Sequence, residues 1–172
     1  MRSFSGIGSR QAPTQILDLM TRIASRLAKR GYVLRSGAAD GSDTAFEAGA
    51  REVGGGSEIF LPWRGFNGSA SPLFNLPLDE QAALIASHVH PAWADLKPPV
   101  RKLHARNVYQ VLGRDLRSPV DFVVCWTPDG AESWTDTSIS TGGTGTAIKI
   151  ADLFKIPVIN LHNEGALDRI AE

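Results

Sequence analysis

The chain has 172 residues, with 18 basic and 18 acidic side chains and one cysteine, enough for one domain with a buried core and too few for two comfortable ones. A formal net charge of zero supplies no whole-molecule field for a polyanion, so a nucleic acid would need a local basic cleft. The lone Cys125 excludes an internal disulfide, no apolar run reaches membrane-spanning length, and the N-terminus lacks the charged-then-apolar order of a secretory signal. The expectation is a cytoplasmic protein with no membrane partner.

Ser3 to Gly8 reads as a first strand ending in a turn. From Pro13 to Leu27, the residues Ile16, Leu17, Met20, Ile23, Ala24 and Leu27 recur at helical spacing, and Lys29-Arg30-Gly31 ends that helix. Tyr32 to Arg35 is the second strand and Ser36 to Gly41 a turn. Ser42 or Asp43 caps a helix running to Glu52, Gly54-Gly55-Gly56 stops it, and Ser57 to Leu61 is the third strand. Pro62 to Leu78 is irregular. Helices are expected over Asp79 to Val89 and Val100 to Leu112, with a loop between them. Val120 to Trp126 is the most hydrophobic strand. A polar loop, Thr127 to Thr141, precedes a glycine turn and a helix over Ala147 to Phe154. Ile156 to Leu161 is the last strand, and Asn163 to Glu172 a short terminal helix.

Strands alternating with helices imply an α/β fold with a parallel sheet covered on both faces. Right-handed crossovers favour a Rossmann-like doubly wound sheet of strand order 3-2-1-4-5, with residues 1–172 forming a single domain. In that order the ligand crevice opens beyond the carboxyl ends of strands one and four. Three polar turns fall on that rim.

The first turn is Gly8-Ser9-Arg10, with glycine for close backbone approach, a hydroxyl donor and a guanidinium that grips phosphate or carboxylate. The second runs from Ser36 and Gly37 through Asp40, Gly41, Ser42 and Asp43. Its carboxylates can accept from ribose hydroxyls, and Asp43 can equally cap its own helix. Thr127 and Gly142-Gly143-Thr144-Gly145-Thr146 follow strand four. A glycine-rich turn opening a helix exposes amides at the positive end of the helix dipole, an anion site. Arg106 and Asn107 precede strand four, and Arg106 would add charge to the crevice.

Other residues have plainer readings. Trp63 and Trp93 are expected to close the edge of the core, whereas Trp134, in a loop poor in bulky apolar residues, is expected to be a mobile lid over the site. His104 as a general base has no supporting partner in the sequence. His88 and His90 lack the further ligands a metal needs, and no metal or other cofactor is expected.

Together Gly8-Ser9-Arg10, Ser36-Gly37-Ala38 with Asp40-Gly41 and Asp43, Arg106-Asn107, and Gly142 to Thr146 resemble the SLOG superfamily, which joins the DNA-processing protein A group and the Lonely Guy group. The resemblance spans nearly the whole chain and implies a Rossmann-like fold that binds nucleotides or nucleotide-containing polymers. The DNA-processing protein A side, similar in its Gly-Ser-Arg turn, its Ser-Gly-x-Ala-x-Gly-x-Asp turn and its Arg-Asn pair, implies single-stranded DNA as a possible partner. The Lonely Guy side implies a phosphoribohydrolase that cleaves the base from a nucleoside monophosphate, with Arg106 and, as a substitute acid, Asp40, Asp43 or Glu47 as catalytic candidates. That group's Pro-Gly-Gly-x-Gly-Thr-x-x-Glu signature is altered here: Thr141 stands for Pro and Lys149 for Glu, and an ammonium cannot stabilise the positive transition state at the sugar. The expected function is binding of a nucleotide or nucleotide-derived small molecule, with single-stranded DNA binding and N-glycosidic cleavage as alternatives. A homo-oligomer is the default expectation.

Overall fold

The computed structural model describes residues 1–171. Each strand forms where a short apolar run is bounded by turn residues, and each long helix where apolar residues repeat at helical spacing. β1 (Ser3–Gly6), α1 (Thr14–Lys29), β2 (Val33–Ser36), α2 (Ser42–Glu52) and β3 (Ser57–Ile59) follow one another in the first half. α3 (Asp79–Val89), α4 (Pro98–Leu112), β4 (Phe122–Cys125), α5 (Thr144–Leu153), β5 (Val158–Asn160) and α6 (Ala166–Ala171) complete the chain. The strands pair in parallel throughout, in the order β3-β2-β1-β4-β5. That is the doubly wound topology expected from the alternation of elements.

Each face of the sheet has its own core. Phe4, Met20, Ile23, Leu27, Leu34 and Phe46 pack under α1 and α2. Phe4 meets Phe46 edge-on at 6.3 Å between ring centroids, an arrangement the ring quadrupoles favour. Val108, Val111, Leu112, Val123, Ile148 and Ile150 fill the other face under α4 and α5. Cys125 belongs to this second core, and its thiol is fully buried.

The outer strands are partly covered along their free edges. Beyond β3, the Leu61 amide donates to the Leu73 carbonyl at 2.8 Å, and Ser71 Oγ donates to the Ile59 carbonyl at 2.5 Å. Beside β5, the Asn160 amide donates to Glu132 Oε1 at 2.9 Å. Arg169, itself paired with Glu132 at 2.8 Å, donates to the Val158 carbonyl at 3.0 Å.

Four boundaries differ from the sequence reading. The strands are shorter than their apolar runs, although single backbone bonds such as Ile7 N to the Val124 carbonyl continue past their ends. α4 starts at Pro98 rather than Val100, since a proline in the first turn brings a preset φ and gives up an amide the helix does not use. α5 starts at Thr144, so Gly145 and Thr146 are helical, buried and part of its first turn rather than of a free glycine turn. α6 begins at Ala166; Glu172, the end of the expected terminal helix, lies outside the described residues. Among the described residues no helix is long and apolar enough to cross a membrane.

Candidate functional site

Parallel strands put every β-to-α turn on one rim, so the turns after β1, β2 and β4 are neighbours in space. They surround a cavity of about 430 Å³ whose lining includes Gly8, Ser9, Arg10, Asp43, Arg106, Asn107, Gly142, Gly143 and Thr144. This volume lies within the range of small-molecule sites.

The first turn is held from two sides. The Ser9 amide donates to the Trp126 carbonyl at 3.0 Å, and Ser42 Oγ, at the start of α2, donates to the Ser9 carbonyl at 2.7 Å. Gly8 has φ +152°, and a Cβ there would stand 2.7 Å from Ser42 Oγ and 2.9 Å from the Trp126 carbonyl oxygen. Only glycine passes through that gap.

The second turn is built around Asp43. Its Oδ2 accepts from the Ala39 amide at 3.3 Å, and the side chain is buried. Burial pushes its pKa up from 3.8 to about 6, against the opposing pull of Arg106, the Ala39 amide and Arg10. Asp43 therefore caps its turn and faces the cavity at once. Ser36 is buried and donates from Oγ to the Gly6 carbonyl at 2.6 Å, which fastens β2 to β1. Asp40 stands outside the cavity lining and accepts from Asn67 Nδ2 at 2.8 Å. Gly41 and Ser42 shape the turn from behind and are also absent from the lining.

α4 supplies the charged wall. Arg106 is 7% exposed; its Nη1 donates to the Gly37 carbonyl and, at 3.4 Å, to the Phe60 carbonyl. A Cβ on Gly37 would lie 2.4 Å from that nitrogen, so this glycine makes room for the guanidinium. Burial lowers the Arg106 pKa and the Asp43 charge raises it, and a guanidinium starting from 12.5 keeps its proton at neutral pH. Arg106 Nε donates to Asn107 Oδ1 at 3.1 Å, and Asn107 Nδ2 donates to the Gly143 carbonyl at 3.2 Å. That relay ties the glycine segment to α4.

The third turn presents its backbone. Among the described residues, the Gly143 and Thr144 amides donate to no backbone carbonyl, and both residues line the cavity at the N-terminal end of α5. Thr127 is fully buried beneath: it donates from Oγ1 to Asp129 Oδ1 at 2.8 Å and accepts from Asn160 Nδ2 at 2.7 Å. Thr146 is absent from the lining, and its Oγ1 lies 2.8 Å from Nδ1 of His104, which does line the cavity.

Sequence reasoning missed Gln110 and Asp129, and it placed His104 without a partner. Gln110 lies one helical turn beyond Arg106, is 1% exposed, and lines the cavity with an Nε2 that has no hydrogen-bond partner among the described residues. Its spacing from Arg106 and Asn107 was the available signal. His104 also lines the cavity; burial, with His90, Arg106 and Lys149 nearby, lowers its pKa to about 4, so it is neutral at pH 7. Asp129 accepts from Thr127 and from Ser138, the latter at 2.8 Å, and from Thr141. Burial works to raise its pKa, but these bonds prevail and hold it at about 2. The Thr-Pro-Asp-Gly turn signature at 127–130 pointed to it.

Two tryptophans depart from expectation or refine it. Trp134 is not a lid: its amide donates to Asp152 Oδ2 at 2.8 Å and its ring lies 5.7 Å from Lys149 Nζ, so it is docked on α5 outside the cavity. The loop lacks apolar bulk because it is pinned by polar bonds instead. Trp63 packs edge-on against Phe66 at 5.4 Å. Lys149 donates to the Val89 carbonyl at 3.2 Å, also away from the cavity. Among the described residues no group of three or more His, Cys, Asp or Glu side chains is arranged to hold a metal.

No protein-family model matches the chain, and no curated protein matches it. Among solved structures it is similar to DNA processing protein A from Helicobacter pylori, described for its single-stranded DNA binding mode. The TM-score is 0.58 and the identity 16%, over 99% of this chain and 71% of that one. It is also similar to TM1055, a structural-genomics target, with a TM-score of 0.49 and 21% identity over 99% of this chain and 80% of that one. The fold of this chain is accordingly a Rossmann-like α/β sheet of the kind seen in DNA processing protein A.

Proposed function

We propose that the chain binds a nucleotide or nucleotide-derived small molecule, with its phosphate in the cavity above β1 and β4. One observation carries the reading: three turns distant in sequence bring unspent amides and two arginines, Arg10 and the buried Arg106, around a single cavity. Phosphate would lie against the Gly143 and Thr144 amides, where the dipole of α5 favours negative charge. Arg10, exposed at the rim, closes over the anion, and the unpartnered Gln110 amide supplies a further donor. SLOG-type ancestry and a single nucleotide-binding domain belong to the same reading.

Turnover by N-glycosidic cleavage is the less favoured form of it. Lys149, at the position of the Lonely Guy acid, points elsewhere, and Asp43 is the carboxylate among the lining residues. A single DNA strand offers the same phosphates, so DNA is the rival ligand.

The test is a thermal-shift screen of the full chain over nucleoside mono-, di- and triphosphates, cyclic nucleotides and ADP-ribose derivatives. A ligand present at about 100 times its Kd stabilises by about 2.7 kcal/mol, which is readily measured. No shift from any of them sinks the reading. An oligonucleotide shift that weakens steeply with salt, in the absence of any mononucleotide effect, would favour DNA.

A further inference from the structure

Among the described residues, Asp43 is the one carboxylate lining a cavity otherwise furnished to attract anions, beside Arg10, Arg106, Gln110 and the Gly143 and Thr144 amides. Asp43, Arg106 and Gln110 are 4%, 7% and 1% exposed. A charge held that deep needs a close partner or gives up its charge.

The polar atoms of these three side chains are unevenly spent. Arg106 gives Nε to Asn107 and Nη1 to the Gly37 and Phe60 carbonyls, while Nη2 donates to nothing among the described residues. Gln110 Nε2 has no partner among them either. Asp43 Oδ2 accepts from the Ala39 amide at 3.3 Å, and the Gly37 amide adds a weaker pull. Its Oδ1 accepts no hydrogen bond, and Asp43 and Arg106 form no ion pair, among the described residues. One residue gathers the group. A Cβ on Gly37 would lie 2.2 Å from Gln110 Nε2 and 2.4 Å from Arg106 Nη1, and Gly37 lies in the turn whose Ala39 amide holds Asp43. The acid and the two donors thus border one space without touching.

An oxyanion seated against Arg106 and Gln110 meets the Asp43 carboxyl. An ionised carboxylate only accepts, so oxygen would face oxygen with like charge. A proton between them turns that repulsion into a short, charge-assisted hydrogen bond.

We infer that Asp43 is protonated whenever the cavity holds an oxyanion and donates a hydrogen bond to it, so that anion binding is coupled to the uptake of one proton. The inference rests on the nucleotide reading above and assigns that site its regulation: grip in mildly acidic solution and release as pH rises. Above about pH 6 both Asp43 and a phosphate monoester are ionised in their free states, so the shared proton is drawn from solvent. Asp43 faces Arg106 on α4 and Arg10 on the first turn, both of which keep their charge. His104, the other titratable group of the lining, is held neutral by burial, with a pKa lowered to about 4.

Isothermal titration of the full chain with inorganic sulfate tests the coupling, because sulfate does not titrate over the range used and any proton taken up belongs to the protein. Sulfate affinity should fall about tenfold from pH 7 to pH 8 and change little below pH 5. Asp43→Asn is neutral at every pH and offers an amide donor, so its affinity stays flat and exceeds that of the native chain at pH 8 by about tenfold or more. Should that variant fail to fold, the native chain gives a second readout. Titration at pH 7.5 in two buffers of different ionisation enthalpy should count about one proton taken up per sulfate bound. Sulfate binding that is flat with pH, or that takes up no proton, overturns the inference and leaves the anion site standing. Failure of sulfate to bind at any of these pH values overturns both the inference and the phosphate placement on which the nucleotide reading stands.

Discussion

Replacing Asp43 with Asn should change how stability depends on pH, by an amount the burial of this residue sets. The Asp43 pKa rises from 3.8 to about 6 in the folded chain, chiefly because burial penalises its charge. Below pH 3.8 both folded and unfolded chains hold the proton, and no ionisation cost arises. Between pH 3.8 and about 6 the unfolded chain releases this proton while the folded chain keeps it, so stability falls across that window and levels off above it. The full difference is about 3 kcal/mol, and roughly half of it falls between pH 5 and 7.5 by the same linkage. Asn keeps an oxygen for the Ala39 amide and does not titrate. Urea unfolding of both proteins at the two pH values should therefore show wild type losing about 1.5 kcal/mol relative to Asp43→Asn on going from pH 5 to 7.5. Any constant offset, such as lost attraction to Arg106, cancels in this comparison. A gap between the two proteins that does not move with pH would mean that Asp43 is not a desolvated weak acid, and the electrostatic description of the cavity would have to be abandoned.

Arg106→Ala should abolish the thermal shift given by any phosphate ligand. It should also cost about 1–3 kcal/mol in urea melts, because the Gly37 and Phe60 carbonyls lose a charged donor; unchanged ligand binding would remove Arg106 from the site. Gly143→Val separates folding from binding: a Cβ there meets nothing within 4 Å, so the melting temperature of the free protein should stay within about 2 °C. Its side chain intrudes on the space for an anion, so nucleotide affinity measured by titration should fall. Asp129→Ala frees the hydroxyls of Thr127, Ser138 and Thr141 at once and should cost about 2–3 kcal/mol; a cost below about 0.5 kcal/mol would show that the loop is held by other means. Burial, with Glu132 and Asp129 nearby, pushes the Cys125 thiol pKa up, so a thiol reagent should label the native chain only at the rate of unfolding. Fast labelling without denaturant would contradict the packing around β4.

The fold was legible because helical and strand periodicities in this chain are well separated. Ile16 through Leu27 repeat on one helical face, and the short apolar runs around Phe4, Leu34 and Val123 are bounded by turns. The rim position of Gly8 to Arg10, Asp43, Arg106 and Gly142 to Thr144 follows from topology once the strand order is fixed. What escaped was side-chain direction. Asp40 and Asp43 are three residues apart in one turn, yet one faces Asn67 and the other the cavity. The choice depends on the path of the segment after β3, which no local pattern encodes. Thr146 and Gly145 looked like turn residues because glycine and threonine are poor helix formers, but packing against α4 overrides propensity. Trp134 misled for a related reason: its partners Asp152 and Lys149 lie well along the chain, on α5.

The covered edges of the sheet constrain how this molecule can meet others. An open outer strand is a template for backbone pairing, by which chains add peptides or polymerise into fibrils. Here Leu73 and Ser71 occupy that template at β3, while Glu132 and Arg169 occupy it at β5. Strand addition is thus obstructed at both margins, and the exposed Leu84, Leu153, Phe154 and Leu167 offer helix surfaces for self-assembly instead. Loss of the Arg169–Glu132 pair would reopen the β5 margin alone, which permits one edge-to-edge pairing with a second copy and no further growth.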